Sequence, residues 1–229
     1  MTEISLYQMS FAYRHHPVYE KASLTLTQPG VYGLVGPNGS GKSTLFDLLC
    51  GLLRPQTGTI TLDGAAPSAG VVFNTIAYGQ DAGVLYPRLS GADHLRFVAK
   101  QHGRDAAAIA AVSAQLDLAA FVAQPVGSLS MGQKQRVAIA LALLPQTPVL
   151  LLDEPLNGLD PDSVIIIRKL LVGLQDSGRI VLVSSHNLAE LEKVTNHYLF
   201  KVGTALQEEV VTTAAEARYE ELFHRAATE

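Results

Sequence analysis

The sequence predicts an α/β fold: a core of buried strands and helices, preceded by an antiparallel β region and interrupted by a helical insertion. Three apolar runs lack polar alternation, at residues 31–35, 149–152 and 180–183, and helical segments are predicted between them. Strands of this kind suit a parallel sheet whose two faces are both covered. With 229 residues, 48% of them hydrophobic, the chain is long enough to bury such a core in one domain.

The individual elements follow from periodicity along the chain. Alternating apolar residues up to Leu26 predict two or three antiparallel strands, and an alanine-rich stretch from Ser90 to about Phe121 predicts the helical insertion. Further strands are predicted at residues 59–62 and 71–78, a terminal hairpin at 198–202 and 206–210, and helices at 43–53, 130–144, 161–175 and 213–225. We predict one domain over residues 1–229, with the core in 1–80 and 130–229 and a helical subdomain at about 81–129.

Composition excludes several classes of function. Lys and Arg number 17 against 21 Asp and Glu, and this net charge of -4 argues against nucleic acid as the main ligand. Cys50 is the only cysteine, so an internal disulfide is impossible and a reducing, cytoplasmic setting is expected. The longest apolar run, residues 137–144, is far shorter than the roughly 18 residues that span a bilayer, and no signal peptide is apparent.

Residues 36–43 read Gly-Pro-Asn-Gly-Ser-Gly-Lys-Ser and fit the phosphate-binding loop pattern G-x-x-x-x-G-K-[ST], between a predicted strand and a predicted helix. Three glycines let the backbone turn so that successive N–H groups can point at phosphate oxygens. The following helix directs its positive N-terminal end at the same anion. Lys42 is predicted to reach the β- and γ-phosphates, and the Ser43 hydroxyl to ligate Mg²⁺. Kinases, GTPases and motors share such a loop.

A second acidic element follows the apolar run Val149–Leu152. Asp153 emerges where this buried strand ends and is predicted to lie beside the Mg²⁺. Glu154 points to the opposite side and can polarise a water for attack on the γ-phosphate. No guanine-reading Asn-Lys-x-Asp sequence occurs in the chain, which disfavours a GTPase.

Residues 129–133 read Leu-Ser-Met-Gly-Gln and resemble the LSGGQ signature of ABC ATPases, with Met131 in place of the first glycine of the pair. Other elements of that family follow the same order. Asp160 lies in a segment similar to the D-loop, and His186 resembles the switch histidine. Gln80 resembles the Q-loop glutamine that ligates Mg²⁺. Tyr13 lies where the family places an aromatic residue that stacks on adenine. The resemblance extends from Tyr13 to about residue 202.

The resemblance implies a P-loop NTPase core of the RecA-like type that hydrolyses ATP with Mg²⁺. Glu154 and His186 would be catalytic, and Ser43, Gln80 and Asp153 would hold the metal. The nucleotide would be bound by Tyr13, Gly36, Asn38, Gly39, Ser40, Gly41, Lys42, Ser43, Thr44, Ser130, Gly132, Gln133 and Asp160.

In this family two subunits face each other head to tail, and each ATP lies between the phosphate loop of one and the signature of the other. The resemblance therefore implies a second such subunit, identical or different, and a separate membrane permease that holds this chain at the inner face of the cell membrane. The short C-terminal stretch after Val210 and the D-loop favour an export-type subunit. A different class, a non-transport ABC ATPase acting on ribosomes or DNA, usually has two cassettes, a coiled-coil insertion or basic extensions, none of which is visible here.

Overall fold

Two β-sheets form the centre of this computed structural model, which describes residues 2–14 and 16–223. The strands in chain order are β1 Ile4–Tyr13, β2 His16–Leu26, β3 Gly30–Val35, β4 Thr57–Leu62, β5 Ile76–Gly79, β6 Val149–Leu152, β7 Ile180–Ser185, β8 His197–Val202 and β9 Ala205–Val210. The smaller sheet is antiparallel, with the order β2-β1-β4. The larger sheet has the order β5-β6-β7-β3-β8-β9 and is parallel except for the hairpin partner β9. The predicted α/β class and the antiparallel N-terminal region are confirmed.

Both faces of the larger sheet are buried, as its uninterrupted apolar strands predicted. Along β6, Leu150 and Leu152 belong to one hydrophobic cluster, whereas Val149 and Leu151 belong to a second cluster on the opposite face. Successive side chains of a strand point to opposite faces, so each face meets its own layer. The second cluster also contains the apolar residues of β1, β2 and β4, so the smaller sheet covers that face.

The helices surround this sheet and one pair of them forms the predicted insertion. They are α1 Lys42–Leu49, α2 Ala69–Thr75, α3 Gly91–Gln101, α4 Ala106–Gln115, α5 Met131–Leu143, α6 Pro161–Gly173, α7 Leu188–Leu191 and α8 Ala215–Phe223, with 3₁₀ turns at Ala82–Val84 and Val126–Ser128. The alanine-rich insertion is indeed helical: α3 and α4 lie in it and pack against α5. Over residues 2–14 and 16–223, no helix is both long enough and apolar enough to cross a membrane.

The predicted strand at residues 71–78 is wrong over most of its length. The structure has α2 in this place, followed by β5, which begins only at Ile76. Ser68 caps α2 by accepting a hydrogen bond from the N–H of Val71, and the apolar side chain of Phe73 is stacked on His102 of the helical insertion. A cap followed by contact with a neighbouring element therefore outweighs the β propensity of the apolar run.

Two helix boundaries also differ from the prediction. The helix predicted at 43–53 ends at Leu49, because Cys50 closes it and Gly51 has a positive φ of 66° that stops its continuation. The last helix, predicted at 213–225, is described from Ala215 to Phe223, and the end of that prediction lies outside the described residues.

Candidate functional site

The carboxyl ends of three neighbouring strands carry most of the predicted site. β3 leads into residues 36–43, β6 ends next to Asp153 and Glu154, and β7 ends next to His186. Because β6, β7 and β3 are adjacent and parallel, these segments meet at one edge of the sheet. That edge is where ligands bind in open α/β sheets.

Residues 36–43 form a loop that leads directly into α1. Gly39 and Gly41 have φ values of 74° and 107°, in the left-handed region that glycine adopts without cost. Gly41 is the N-cap of α1, and no side chain of the described residues caps this helix. The hydroxyl of Ser40 is buried and has no hydrogen-bond partner within the described part of the chain. An uncapped helix start with an unpaired polar atom beside it fits an anion.

The Lys42 side chain folds back into this loop. Its Nζ donates to the carbonyl oxygens of Gly36 at 2.9 Å and Pro37 at 3.3 Å, and it lies 3.6 Å from Oε1 of Glu154. The side chain is buried, so its charge is little screened by solvent. The loop thus already contains a cation in its interior.

Glu154 connects this lysine to the end of β7. Its Oε2 lies 2.8 Å from Nδ1 of His186 and accepts a hydrogen bond from the His186 N–H at 3.3 Å. The backbone of Glu154 has a φ of 46°, which a residue with a side chain adopts only at a cost. Its N–H donates to Oγ of Ser184 at 2.8 Å, which holds this backbone in place. A carboxylate is therefore fixed between an ammonium group and an imidazole.

Asp153 is held by two side chains from neighbouring strands. The Ser184 hydroxyl donates a hydrogen bond to Oδ1 at 2.5 Å, and the Tyr78 hydroxyl donates one to Oδ2 at 3.3 Å. Burial, and then the charge of Asp153, raise the pKa of both Asp47 and Tyr78. The surroundings of Asp153 thus disfavour further negative charge and favour a cation.

A cleft of about 640 Å³ opens at this point, and Ser43, Gln80, Asp153 and Glu154 lie along it. Hydroxyl, carboxylate and amide oxygens are the hard donors that Mg²⁺ takes from proteins, usually with retained waters. Ser43 is exposed and Gln80 half-buried, so both can reach a ligand from solvent. The residues present fit a Mg²⁺ ion, and the structure places the three predicted metal ligands together.

The signature-like segment forms the start of α5. Ser130 is the N-cap: its hydroxyl accepts from the Gln133 N–H at 3.2 Å, and Oε1 of Gln133 accepts from the Ser130 N–H at 2.9 Å. This reciprocal pair is a capping box. Met131 is half exposed and lines the same cleft as Gln80. Replacing the first glycine of the pair therefore leaves the helix start intact and adds an apolar side chain to the cleft.

Gly132 packs directly against the start of α6. A Cβ added there would lie 2.3 Å from Oγ of Ser163 and 2.4 Å from Oδ2 of Asp160. Asp160 is the N-cap of α6, and its carboxylate accepts hydrogen bonds from both the N–H and the hydroxyl of Ser163. These two hydrogen bonds lower the pKa of Asp160. The second glycine of the signature is thus required for the close approach of two helix starts.

We expect Gly132→Ala to lower the free energy of unfolding by about 1–3 kcal/mol, the usual cost of overpacking. The added methyl group can be accommodated only by breaking the Asp160 cap or by moving α5 away from α6. The measurement is urea unfolding followed by circular dichroism. Gly173→Ala is the matched control, because open space surrounds this helical glycine and alanine has the higher helix propensity. Equal stability of the two variants would contradict the close contact.

The remaining predicted residues have no direct contact with Lys42, Asp153 or Glu154 among the described hydrogen bonds and ion pairs. Asn38 is exposed in the loop, and Thr44 is buried in the first turn of α1. Tyr13 lies at the end of β1, opposite His16, is 47% exposed, and packs edge-on against Phe11 with the ring centroids 4.9 Å apart. Tyr13 does not line the cleft that contains Asp153.

Ser184, Tyr78 and Asp47 contribute to the candidate site although no motif in the sequence points to them. For Ser184 a signal was present, since two serines at the end of a buried apolar strand require hydrogen-bond partners. Tyr78 and Asp47 gave no such signal, because a strand tyrosine and a helix aspartate are ordinary. Only the folded structure brings Tyr78 within 3.3 Å of Asp153 and places Asp47 along the same cleft.

Comparison with known proteins finds a matching family model and several relatives. The ABC transporter family model matches residues 19–157. The chain is 36% identical over 205 residues to the chelated iron transport system membrane protein YfeB of Yersinia pestis, covering 84% of this chain and 68% of that protein. It is 33% identical over 184 residues to the cytochrome c biogenesis ATP-binding export protein CcmA of Cupriavidus pinatubonensis, covering 79% and 81% of the two chains.

A solved structure described as the ATP-binding subunit of an ABC transporter shares the fold. The TM-score is 0.85 at 24% identity, and the match covers 96% of this chain and 98% of that one. Together with the family match over residues 19–157, this identifies the chain as a member of the ABC transporter family, an ATPase with a P-loop NTPase fold.

Proposed function

We propose that this chain is the ATP-hydrolysing subunit of a transporter, that it dimerises head to tail around ATP, and that it drives a separate membrane permease. The observation that supports this best is the convergence of Lys42, Glu154 and His186 at one edge of the sheet, next to Asp153 and Ser43. A cation for phosphate, a carboxylate for water and donors for a metal are the parts that phosphoryl transfer to water needs.

Phosphate binding is assigned to residues 36–43. The N–H groups at the start of α1 would face the phosphates, and Lys42 would leave the carbonyls of Gly36 and Pro37 to contact them. Thr44 lies in the first turn of α1, and its backbone N–H would be one of these groups. A bound Mg²⁺ would neutralise phosphate charge, and Ser43, Asp153 and Gln80 would hold it.

Glu154 is assigned as the general base. In the structure its carboxylate lies between Lys42 and His186, so movement of Lys42 onto phosphate would leave Glu154 with the histidine. The histidine then orients the carboxylate, and Glu154 accepts the proton of the attacking water. His186 is 45% exposed in its side chain and can also contact the γ-phosphate.

The dimer is assigned from the signature. The N-terminus of α5 carries the positive end of a 13-residue helix, and Met131 in its first turn is half exposed. In the proposed dimer this end, with Ser130, Gly132 and Gln133, meets the γ-phosphate held by the partner subunit. Asp160, next to Gly132, would lie at the same interface.

Transport is assigned to a separate permease, which would place this chain on the cytoplasmic face of the membrane. CcmA is named as an export protein, and this favours export as the direction to test first. The test is reconstitution of this chain in liposomes with a candidate multi-span permease, chosen from the proteins that neighbouring genes encode. We expect MgATP hydrolysis by the pair to exceed that of the chain alone, and no association between the two proteins would refute the assignment.

We expect Tyr13→Ala to weaken ATP binding about tenfold, because stacking of a base on an aromatic ring is worth about 1–3 kcal/mol. The dependence on Mg²⁺ should not change, since Tyr13 is outside the metal cleft. The measurement is a nucleotide titration by calorimetry. Tyr7→Ala, at another exposed tyrosine of β1, is the matched control. Superimposable binding curves for Tyr13→Ala and the unchanged protein would make Tyr13 a structural residue.

A further inference from the structure

A lysine lies buried beneath the phosphate loop. Lys201 on β8 is 1% exposed. A Cβ added to Gly36 would lie 3.1 Å from both the Cβ and the carbonyl oxygen of Lys201, and one added to Gly41 would lie 3.7 Å from its Cε. The lysine side chain therefore runs along the underside of the loop, from its first glycine to its last.

The ammonium group of Lys201 has no anionic partner in the described part of the chain. Its Nζ donates a hydrogen bond to the carbonyl oxygen of Gly203 and lies 4.5 Å from the centroid of the Tyr19 ring. Burial lowers the pKa of Lys201 to about 8. A cation over the face of an aromatic ring is attracted by it, more strongly when both are desolvated.

Tyr19 transmits this contact to the loop. The tyrosine is 1% exposed, and its hydroxyl donates to the carbonyl oxygen of Gly41 at 2.9 Å. Gly41 is the N-cap of α1, in the left-handed conformation. The orientation of its peptide group decides where the first N–H groups of α1 point, and those are the groups that would meet the phosphates.

The acceptor of the lysine is itself fixed. Gly203 lies in the turn between β8 and β9. The hydroxyl of the next residue, Thr204, donates a hydrogen bond to Oε2 of Glu20 at 2.9 Å. The Glu20 N–H donates back to the Thr204 carbonyl oxygen at 3.2 Å. Glu20 follows Tyr19 on β2, so the turn, the lysine and the tyrosine form one connected support.

Packing alone gives no reason for a charge at this position. An ammonium group buried without a counterion is unfavourable, and an apolar side chain of similar volume would be neutral or stabilising. A polyanion on the loop above would supply the missing negative charge, in surroundings where water screens little. The benefit of the charge would then appear in the nucleotide-bound state and not in the free protein.

We propose that Lys201 is a positioning residue for nucleotide binding: it holds the Tyr19 ring, and through the tyrosine hydroxyl the Gly41 carbonyl, so that the loop N–H groups stay directed at the phosphates. This inference rests on the proposed assignment of residues 36–43 to the phosphates of ATP.

The test begins with Lys201→Met, which keeps the length of the side chain and removes its charge. We expect the Kd for ATP, measured by calorimetry without Mg²⁺, to rise about three- to tenfold, the range for loss of one aligned hydrogen bond. The KM for MgATP should rise by the same factor, with kcat within about twofold. The thermal midpoint of the nucleotide-free variant should equal or exceed that of the unchanged protein. An unchanged Kd overturns the proposal, whatever the thermal midpoint.

Tyr19→Phe removes only the hydroxyl and is the second variant, because it keeps the buried ring. Its Kd should rise by a similar factor. The double variant should lose little more than the larger single loss, because both changes interrupt one series of contacts. Additive losses would show that the lysine does not act through Tyr19, and would overturn the proposed route.

Two controls separate this inference from the assignment beneath it. Lys169→Met removes the same charge from the exposed face of α6 and should leave the Kd unchanged. If Lys42→Ala binds ATP normally, the assignment of the loop fails. If Lys42→Ala loses binding while Lys201→Met keeps it, the assignment stands and only the role of Lys201 fails.

Discussion

Lys42→Ala should bind ATP about 30-fold to several thousand-fold more weakly than the unchanged protein. Loss of one partner from a buried, hydrogen-bonded charge pair costs about 2–5 kcal/mol, and each 1.4 kcal/mol is a factor of ten. Lys201 is not placed to take over from Lys42, since Gly203 and Tyr19 hold it beneath the loop. Hydrolysis should fall with binding, because Lys42 is also the partner of Glu154.

The measurement for Lys42→Ala is an ATP titration by calorimetry together with phosphate release. Lys100→Ala, on the exposed side of α3, is the matched control and should behave like the unchanged protein. Thermal unfolding without nucleotide shows whether the variant is folded. If a folded Lys42→Ala protein hydrolyses ATP at the normal rate, the assignment of phosphate binding to residues 36–43 is refuted.

The sheet could be predicted from the sequence because its signal is local. Uninterrupted apolar runs mark β3, β6 and β7, and in a parallel sheet these runs have to be buried on both faces. The region of α2 could not be predicted in the same way. Its residues Val71, Val72 and Phe73 favour a strand by themselves, and only the cap at Ser68 and the contact of Phe73 with His102 select the helix.

For the candidate site, the sequence predicts which residue types are present but not which residues contact one another. The loop, the acidic pair and the histidine are recognisable because each needs a particular residue after a strand or before a helix. The supporting contacts join residues far apart in the chain: Tyr78 lies 75 positions from Asp153, and Ser184 lies 31 positions from it. No local pattern encodes such pairs, and the same holds for Lys201 beneath Gly36 and Gly41.

Glu154→Gln should bind ATP and fail to hydrolyse it. The glutamine keeps the shape of the side chain and an oxygen that can accept from the His186 N–H, which Glu154 holds at 3.3 Å. It cannot accept a proton from the attacking water, so kcat should fall about a hundred- to ten-thousand-fold, the range for loss of a general base. Loss of the carboxylate also frees Lys42 from its 3.6 Å contact, and ATP binding should not weaken.

The same variant should accumulate as a dimer that depends on ATP. In the proposed arrangement the intact γ-phosphate joins the loop of one subunit to Ser130 of the other, and hydrolysis removes that link. Size-exclusion chromatography with and without MgATP measures this, and the unchanged protein should be largely monomeric at low concentration. Glu221→Gln, on the exposed side of α8, is the control and should match the unchanged protein.

Each outcome for Glu154→Gln decides a different part of the proposal. Normal hydrolysis would refute the catalytic role of Glu154. An inactive variant that stays monomeric with MgATP would keep that role and count against the head-to-tail dimer of identical subunits. Met131 then becomes the residue to change, because its side chain occupies the first glycine position of the signature and is 51% exposed. If Met131→Gly in the Glu154→Gln background restores the dimer, the methionine blocks self-pairing, and the natural partner is a different subunit.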